Sequence, residues 1–227
     1  MTLKHAIVLL SGGLDSATVG AIAKSLGFEL HALTINYHQR HLVELEAAKR
    51  VAAFLQVKQH HVLEVDLARF GGSALTVPEM AVPKNVPPLE IGQHVPVTYV
   101  PARNTVFLAI ALSFAEAAGA KDIFIGVSEV DSSGYPDCRK PFLAKFEELA
   151  NLATASTDAA DRYRIHAPLI ELSKADIIRR GIALGVDYGL THTCYDPFPT
   201  GGPCRACESC LLRQKGFAEA GVADPLL

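Results

Sequence analysis

The chain has 227 residues, 21 Lys+Arg against 24 Asp+Glu for a net charge of −3, and hydrophobic residues at 49%. That is apolar material enough for one full α/β domain with or without a small accessory lobe, and it excludes a disordered chain. A near-neutral balance also lacks the footprint of a protein whose main task is gripping a nucleic-acid backbone, so no stable nucleic-acid partner is expected.

The first element is the uninterrupted apolar run 6–10 (AIVLL), which stops at Ser11-Gly12-Gly13. Bounded by glycines, it reads as a strand buried on both faces. It is too short for a signal peptide or a membrane span, and the expected location is the reducing cytoplasm, with no membrane partner. From Ser16 an Ala-rich segment closing at Gly27 suits a helix with a glycine at its C-terminus. Strands over 28–35 and 61–65 flank a helix over 42–55, in which apolar residues recur every three or four positions. This alternation predicts βαβ units, hence a parallel sheet with helices on both sides.

Between Gly71 and Pro101 the pattern breaks into a Pro- and Gly-rich connection, long enough to suggest a substrate lid or binding loop. A helix beginning near Asn104, a strand over 122–127, a helix over 141–155 and a short strand over 164–167 follow. Ser173, three residues before Asp176, marks the start of another helix that Gly185 ends. The reading is a main domain over 1–190, with its lid region near 71–101, and a C-terminal metal lobe over 191–227 packed on the same domain.

Two segments carry chemistry. Leu10-Ser11-Gly12-Gly13-Leu14-Asp15-Ser16 lies between the first strand and the first helix, where ligands collect in open parallel sheets. The glycines let backbone amides turn toward an anion, the serines add hydroxyls, and the helix adds its N-terminal dipole. Asp15 cannot attract phosphate itself; it suits either Mg²⁺ on a pyrophosphate or the bracing of the loop. The motif is neither a Walker A loop, which needs Gly-Lys-Ser/Thr, nor the Gly-x-Gly-x-x-Gly dinucleotide fingerprint.

The second segment is Cys194, then nine residues, then Cys204-Arg-Ala-Cys207-Glu-Ser-Cys210. Four of the chain's five cysteines within seventeen residues predict one tetrahedral ion, structural Zn²⁺. A [4Fe–4S] cluster is the rival, and His192 is close enough to stand in for Cys194. A loop after the fourth predicted strand, Asp131-Ser-Ser-Gly-Tyr135-Pro-Asp137-Cys138-Arg139, is placed to line a pocket.

SGGLDS resembles the pyrophosphate loop of the ATP-pyrophosphatase (PP-loop) superfamily. Together with SGYPDCR, Gln39-Arg40-His41, Tyr99-Val-Pro-Ala-Arg103-Asn104 and the C-terminal cysteines, the chain resembles the QueC family of 7-cyano-7-deazaguanine synthases over essentially its whole length. The resemblance implies a Rossmann-like parallel sheet, a homodimer, one Zn²⁺ per chain, and Mg²⁺ with ATP. It implies conversion of 7-carboxy-7-deazaguanine and ammonia to 7-cyano-7-deazaguanine (preQ0), a step toward queuosine in tRNA. Ser11, Asp15 and Ser16 then serve the departing pyrophosphate. Asp131 or Asp137 suits the N–H edge of the base and Tyr135 its face, while Arg40, Arg103 or Arg139 suits a carboxylate. A tRNA thiolase, another amide-forming synthetase and a zinc-ribbon adaptor are the alternatives; pyrophosphate release with candidate acids, with and without tRNA, separates them.

Overall fold

The computed structural model describes residues 4–87, 90–91, 93–128, 134–155 and 161–227. The long apolar runs become β1 (Lys4–Leu9), the central strand, and β2 (Phe28–Asn36) beside it in a five-stranded sheet completed by β3 (Gln59–Glu64), β4 (Asp122–Phe124) and β5 (Arg164–His166). The strand order is β3-β2-β1-β4-β5 and every neighbouring pair is parallel. The chain therefore winds outward from β1 in one direction, then returns to the other side of β1 at β4. That reversal opens a crevice between the carboxyl ends of β1 and β4, the usual ligand position in such sheets.

Six α-helices are present among the described residues: α1 (Leu14–Ser25), α2 (Val43–Leu55), α3 (Arg103–Ala118), α4 (Lys140–Ala153), α5 (Lys174–Ala183) and α6 (Glu208–Ala220). Because side chains alternate across a strand, each face of the sheet has its own core. Ala6, Val8 and Leu10 meet α1, α2, α5 and α6 through residues such as Ile22, Leu55, Ile178 and Phe217. Ile7, Leu9 and Leu33 meet α3 and α4 through Leu108, Leu112, Leu143 and Phe146. The result is a parallel α/β sheet between two helical layers. No helix among the described residues is long and apolar enough to cross a membrane.

β3 begins two residues early, at Gln59, the helix expected over 141–155 runs Lys140–Ala153, and three further departures bear on the site. α1 starts at Leu14 rather than Ser16, so Asp15 and Ser16 sit inside its first turn. β4 ends at Phe124 rather than Val127, because the chain must leave the ladder where Gly126 passes α1: a Cβ there would lie 3.1 Å from the Ser16 amide. α6 lies inside the cysteine region, which the sequence reading left without a helix. It packs so closely on α5 that a Cβ at Gly216 would fall 2.6 Å from Lys174 Cγ. The Ser173 cap is as expected: its side chain accepts from the Asp176 amide.

The 71–101 connection is irregular but anchored. Ala74, Leu75, Val82 and Val100 are buried, and Lys84 pairs in an isolated antiparallel bridge with Cys207. The Asn85 amide donates to Ala206 O at 2.7 Å, tying the connection to the cysteine region.

Candidate functional site

The turn joining β1 to α1 is held by its own hydroxyls. Gly13 N donates to Ser11 Oγ at 3.3 Å, Ser11 Oγ donates to Ser16 Oγ at 3.1 Å, and Ser16 Oγ donates to Gly13 O at 3.1 Å. Gly12 takes φ +83°, and a Cβ there would sit 2.4 Å from Ala48 N and 2.6 Å from Glu44 O. Only glycine lets α2 close against the turn. Gly13 precedes the first turn of α1 in extended conformation, so the amides of that turn face the crevice with the positive end of the helix dipole.

Asp15 is paired: Lys174 Nζ, at the start of α5, donates to both its carboxylate oxygens, at 2.9 and 2.7 Å. Lys174 lies 159 residues from Asp15, and nothing local marks it as a partner beyond its place after the Ser173 cap. The pair brings a cation to the edge of the turn and braces the carboxylate.

A cavity of about 200 Å³ opens over this turn, lined by Leu10, Ser11, Gly13, Leu14, Asp15 and Ser16. Arg103, the first residue of α3, faces them with its guanidinium over the rings of Tyr37 (5.6 Å) and Phe107 (5.7 Å). Flat aromatic support of this kind holds the cation in place while leaving its N–H edge to a ligand. Glu44, in the first turn of α2, also lines the cavity. Burial raises its carboxyl to about 7, with the Arg103 charge pulling the other way. The sequence reading missed Glu44, which looks like one more acidic residue on an amphipathic helix.

The remaining expected residues divide. Tyr135 reaches the cavity, its ring stacked on Tyr99 at 5.9 Å and its hydroxyl 3.2 Å from Thr98 Oγ1. Cys138 is buried and lines the cavity, with Asn104 Nδ2 donating to its sulfur at 3.1 Å. Asp137 is buried and caps α3 instead, accepting from the Asn104 amide at 2.9 Å, and burial raises its carboxyl above the ordinary value. Arg40 donates to Ala74 O, Met80 O and Pro78 O, which fastens the 71–101 connection. Arg139 is exposed just before α4. Asp131 lies outside the described residues.

Cys194, Cys204, Cys207 and Cys210 converge, with all four sulfurs within 4.8 Å of one another and Cys194 Sγ 4.0 Å from Cys207 Sγ. Sulfurs about 2.3 Å from a tetrahedral ion stand close to that distance apart. Backbone amides of Asp196 and Cys204 point at Cys194 Sγ, and that of Cys207 at Cys204 Sγ, donors that favour thiolates. The donor set fits structural zinc. His192 is not part of it: the ring lines the cavity, and its Nε2 is buried without a hydrogen-bond partner among the described residues. The His192 amide donates to Gly12 O at 2.9 Å, which joins the cysteine region to the anion turn. Below this join, the Arg213 guanidinium grips Asp224 through two bonds of 2.7 and 2.8 Å and also donates to Thr191 and Tyr188.

A family model described as "Queuosine biosynthesis protein QueC" matches residues 5–221. A 7-cyano-7-deazaguanine synthase from Frankia casuarinae is 60% identical over 97% of this chain and 92% of its own length. The protein of the same name from Geobacter sulfurreducens is 59% identical over 98% of this chain and 92% of its own. Among solved structures, the NMN synthetase of Francisella tularensis superposes with a TM-score of 0.51 at 15% identity, covering 97% of this chain and 78% of that one, a likeness of fold. With a family model spanning nearly the whole chain and relatives this similar end to end, the chain belongs to the QueC family.

Proposed function

We propose that this protein converts 7-carboxy-7-deazaguanine and ammonia to 7-cyano-7-deazaguanine at the expense of ATP, in the making of queuosine. The observation that carries the reading is a single cavity bounded on one side by the Ser11–Ser16 anion turn and on the other by Arg103. The first side suits a triphosphate, the second a carboxylate. Arg103 holds the acid so that a carboxylate oxygen attacks the α-phosphorus, forming the acyl adenylate and releasing pyrophosphate. Ser11, Ser16, the α1 amides and Lys174 receive the charge that leaves with pyrophosphate, an electrostatic role. Asp15, braced by Lys174, is the turn carboxylate that would hold a magnesium ion brought in with ATP, which would supply charge neutralisation on the phosphate oxygens. Ammonia displaces AMP to give the amide. A second adenylation, on the amide oxygen, and loss of AMP and a proton give the nitrile, so two ATP are consumed for two oxygens removed. Tyr135 offers a ring to the heterocycle, and Glu44 is placed to accept a proton.

The 191–227 lobe, holding one zinc, packs on the 1–190 domain and closes the cavity, and the working form is a homodimer without bound RNA. The test is incubation of zinc-loaded protein with ATP, Mg²⁺, an ammonium salt and the acid, followed by mass spectrometry. Amide then nitrile, with AMP and pyrophosphate, is the expected course. Asp15→Asn and Ser11→Ala fold normally and lose most turnover. Folded, ATP-binding protein that yields neither amide nor nitrile overturns the substrate assignment.

A further inference from the structure

The amino ends of the strands, remote from the cavity, carry a second cluster of ligand-type side chains. Register places His5 of β1 beside Glu29 of β2, and His31 of β2 beside Gln59 of β3. Alternate residues share a face, so His5, Glu29, His31 and Gln59 all lie on the α3 side, where His31 meets the edge of Phe114. His5 Nδ1 is 2.9 Å from Glu29 Oε2 and 3.2 Å from His31 Nε2, and those last two atoms are 4.0 Å apart. A triangle with these sides has a centre about 2.0 Å from all three corners, the length of a Zn–N or Zn–O bond.

The proton inventory points the same way. His31 Nδ1 bonds Gln59 Oε1 at 3.1 Å. An amide oxygen only accepts, so Nδ1 carries the proton and Nε2 turns its lone pair inward. The carboxylate also only accepts. Two acceptor atoms, Glu29 Oε2 and His31 Nε2, thus converge on the one proton of His5 Nδ1, while Lys58 donates to the carboxylate from the solvent side. A divalent ion replaces that proton once His5 shifts its own to Nε2. An imidazole whose second N–H is held by an amide or carboxylate oxygen is the arrangement that orients histidine ligands around metals.

We propose that His5, Glu29 and His31 form a divalent transition-metal site separate from the cysteine cluster. Two imidazoles and one carboxylate select a borderline ion such as Zn²⁺ or Co²⁺, with a water ligand from the open side. The side chains are 34%, 24% and 7% exposed respectively, giving a buried floor and an open mouth. Lys58, whose Nζ lies 2.6 Å from Glu29 Oε2, is the competing cation, and its half-exposed side chain is free to swing into water. The bound ion ties β1 to β2 roughly 20 Å along the strand from the anion turn.

The test uses tag-free protein whose cysteine cluster is already zinc-loaded, titrated with Co²⁺ under equilibrium dialysis and visible spectroscopy. One further equivalent is expected, with the ligand-field bands of nitrogen- and oxygen-bound cobalt and no thiolate-to-cobalt charge transfer. His5→Gln and Glu29→Gln weaken it by 100-fold or more while circular dichroism and turnover stay unchanged, and Lys58→Gln tightens it. No further equivalent in the unaltered protein, thiolate bands alone, or full binding by folded His5→Gln each overturns the site.

Discussion

Glu44 offers a test of the cavity that needs no substrate. Its carboxyl stands at about 7 in the folded protein against 4.5 for an ordinary glutamate, chiefly because burial disfavours the charged form. Folding therefore takes up a proton between these values. The stabilisation linked to that proton is full below about 4.5 and is lost as pH rises through about 7. Between pH 5.5 and 8.5 the loss integrates to about 2 kcal/mol, at 1.36 kcal/mol per unit. Glu44→Gln keeps the shape and removes the titration. Urea unfolding of both proteins at the two pH values isolates the effect, since every other titrating group is common to both. The variant is expected to gain about 2 kcal/mol on the unaltered protein as pH goes from 5.5 to 8.5. An equal difference at both pH values refutes the reasoning, because it means that Glu44 titrates alike in the folded and unfolded chains. The same proton sets the charge beside Arg103, so KM for the acid substrate is expected to rise above pH 7 in the unaltered protein and to flatten in the variant.

Three further outcomes follow from packing and pairing. Arg213→Met leaves Asp224, whose side chain is only 2% exposed, as a buried charge without its partner; about 3–5 kcal/mol of stability is lost, measured by urea unfolding. Gly181→Ala puts a methyl 1.8 Å from Tyr188 Oη, an atom already held 2.8 Å from Thr18 Oγ1, so about 1–3 kcal/mol is lost to overpacking and thermal unfolding shifts downward. Lys174→Ala removes the cation paired with Asp15; turnover at limiting ATP falls by about 10- to 100-fold with the fold intact, as a charge-assisted pair of bonds worth about 1.5–3 kcal/mol is lost.

Much of this architecture can be read from local chemistry. The first strand, the glycine turn and the Ala-rich helix announce themselves because buried parallel strands are continuous apolar runs and turns need small residues. Four clustered cysteines likewise carry their meaning in their spacing. What stays hidden is whatever depends on residues far apart in sequence meeting in space. Asp137 looks like a recognition carboxylate in its loop, yet it caps α3, because Asn104 and its amide arrive beside it from 33 residues upstream. Arg40 looks like an anion ligand, yet three backbone carbonyls of the 71–101 connection occupy it. α6 is disguised by its own contacts: Cys210, Arg213 and Gly216 face inward for the cysteine cluster, ion pairing and close approach, so its buried stripe is not an apolar one.

The bond from the His192 amide to Gly12 O has a consequence for the order in which the molecule is made. Synthesis delivers the anion turn near the beginning and the last strand of the sheet by His166, so a nascent chain can assemble its whole sheet early. His192, Tyr195 and Ser209, which wall the cavity, come out after it. A ribosome-bound chain thus carries all five strands while one face of the sheet still awaits α5 and α6 and the ligand chamber still lacks one side. The first turn of the protein to be synthesised is among the last to be completed, and nucleotide binding reports that the C-terminal segment has reached its place.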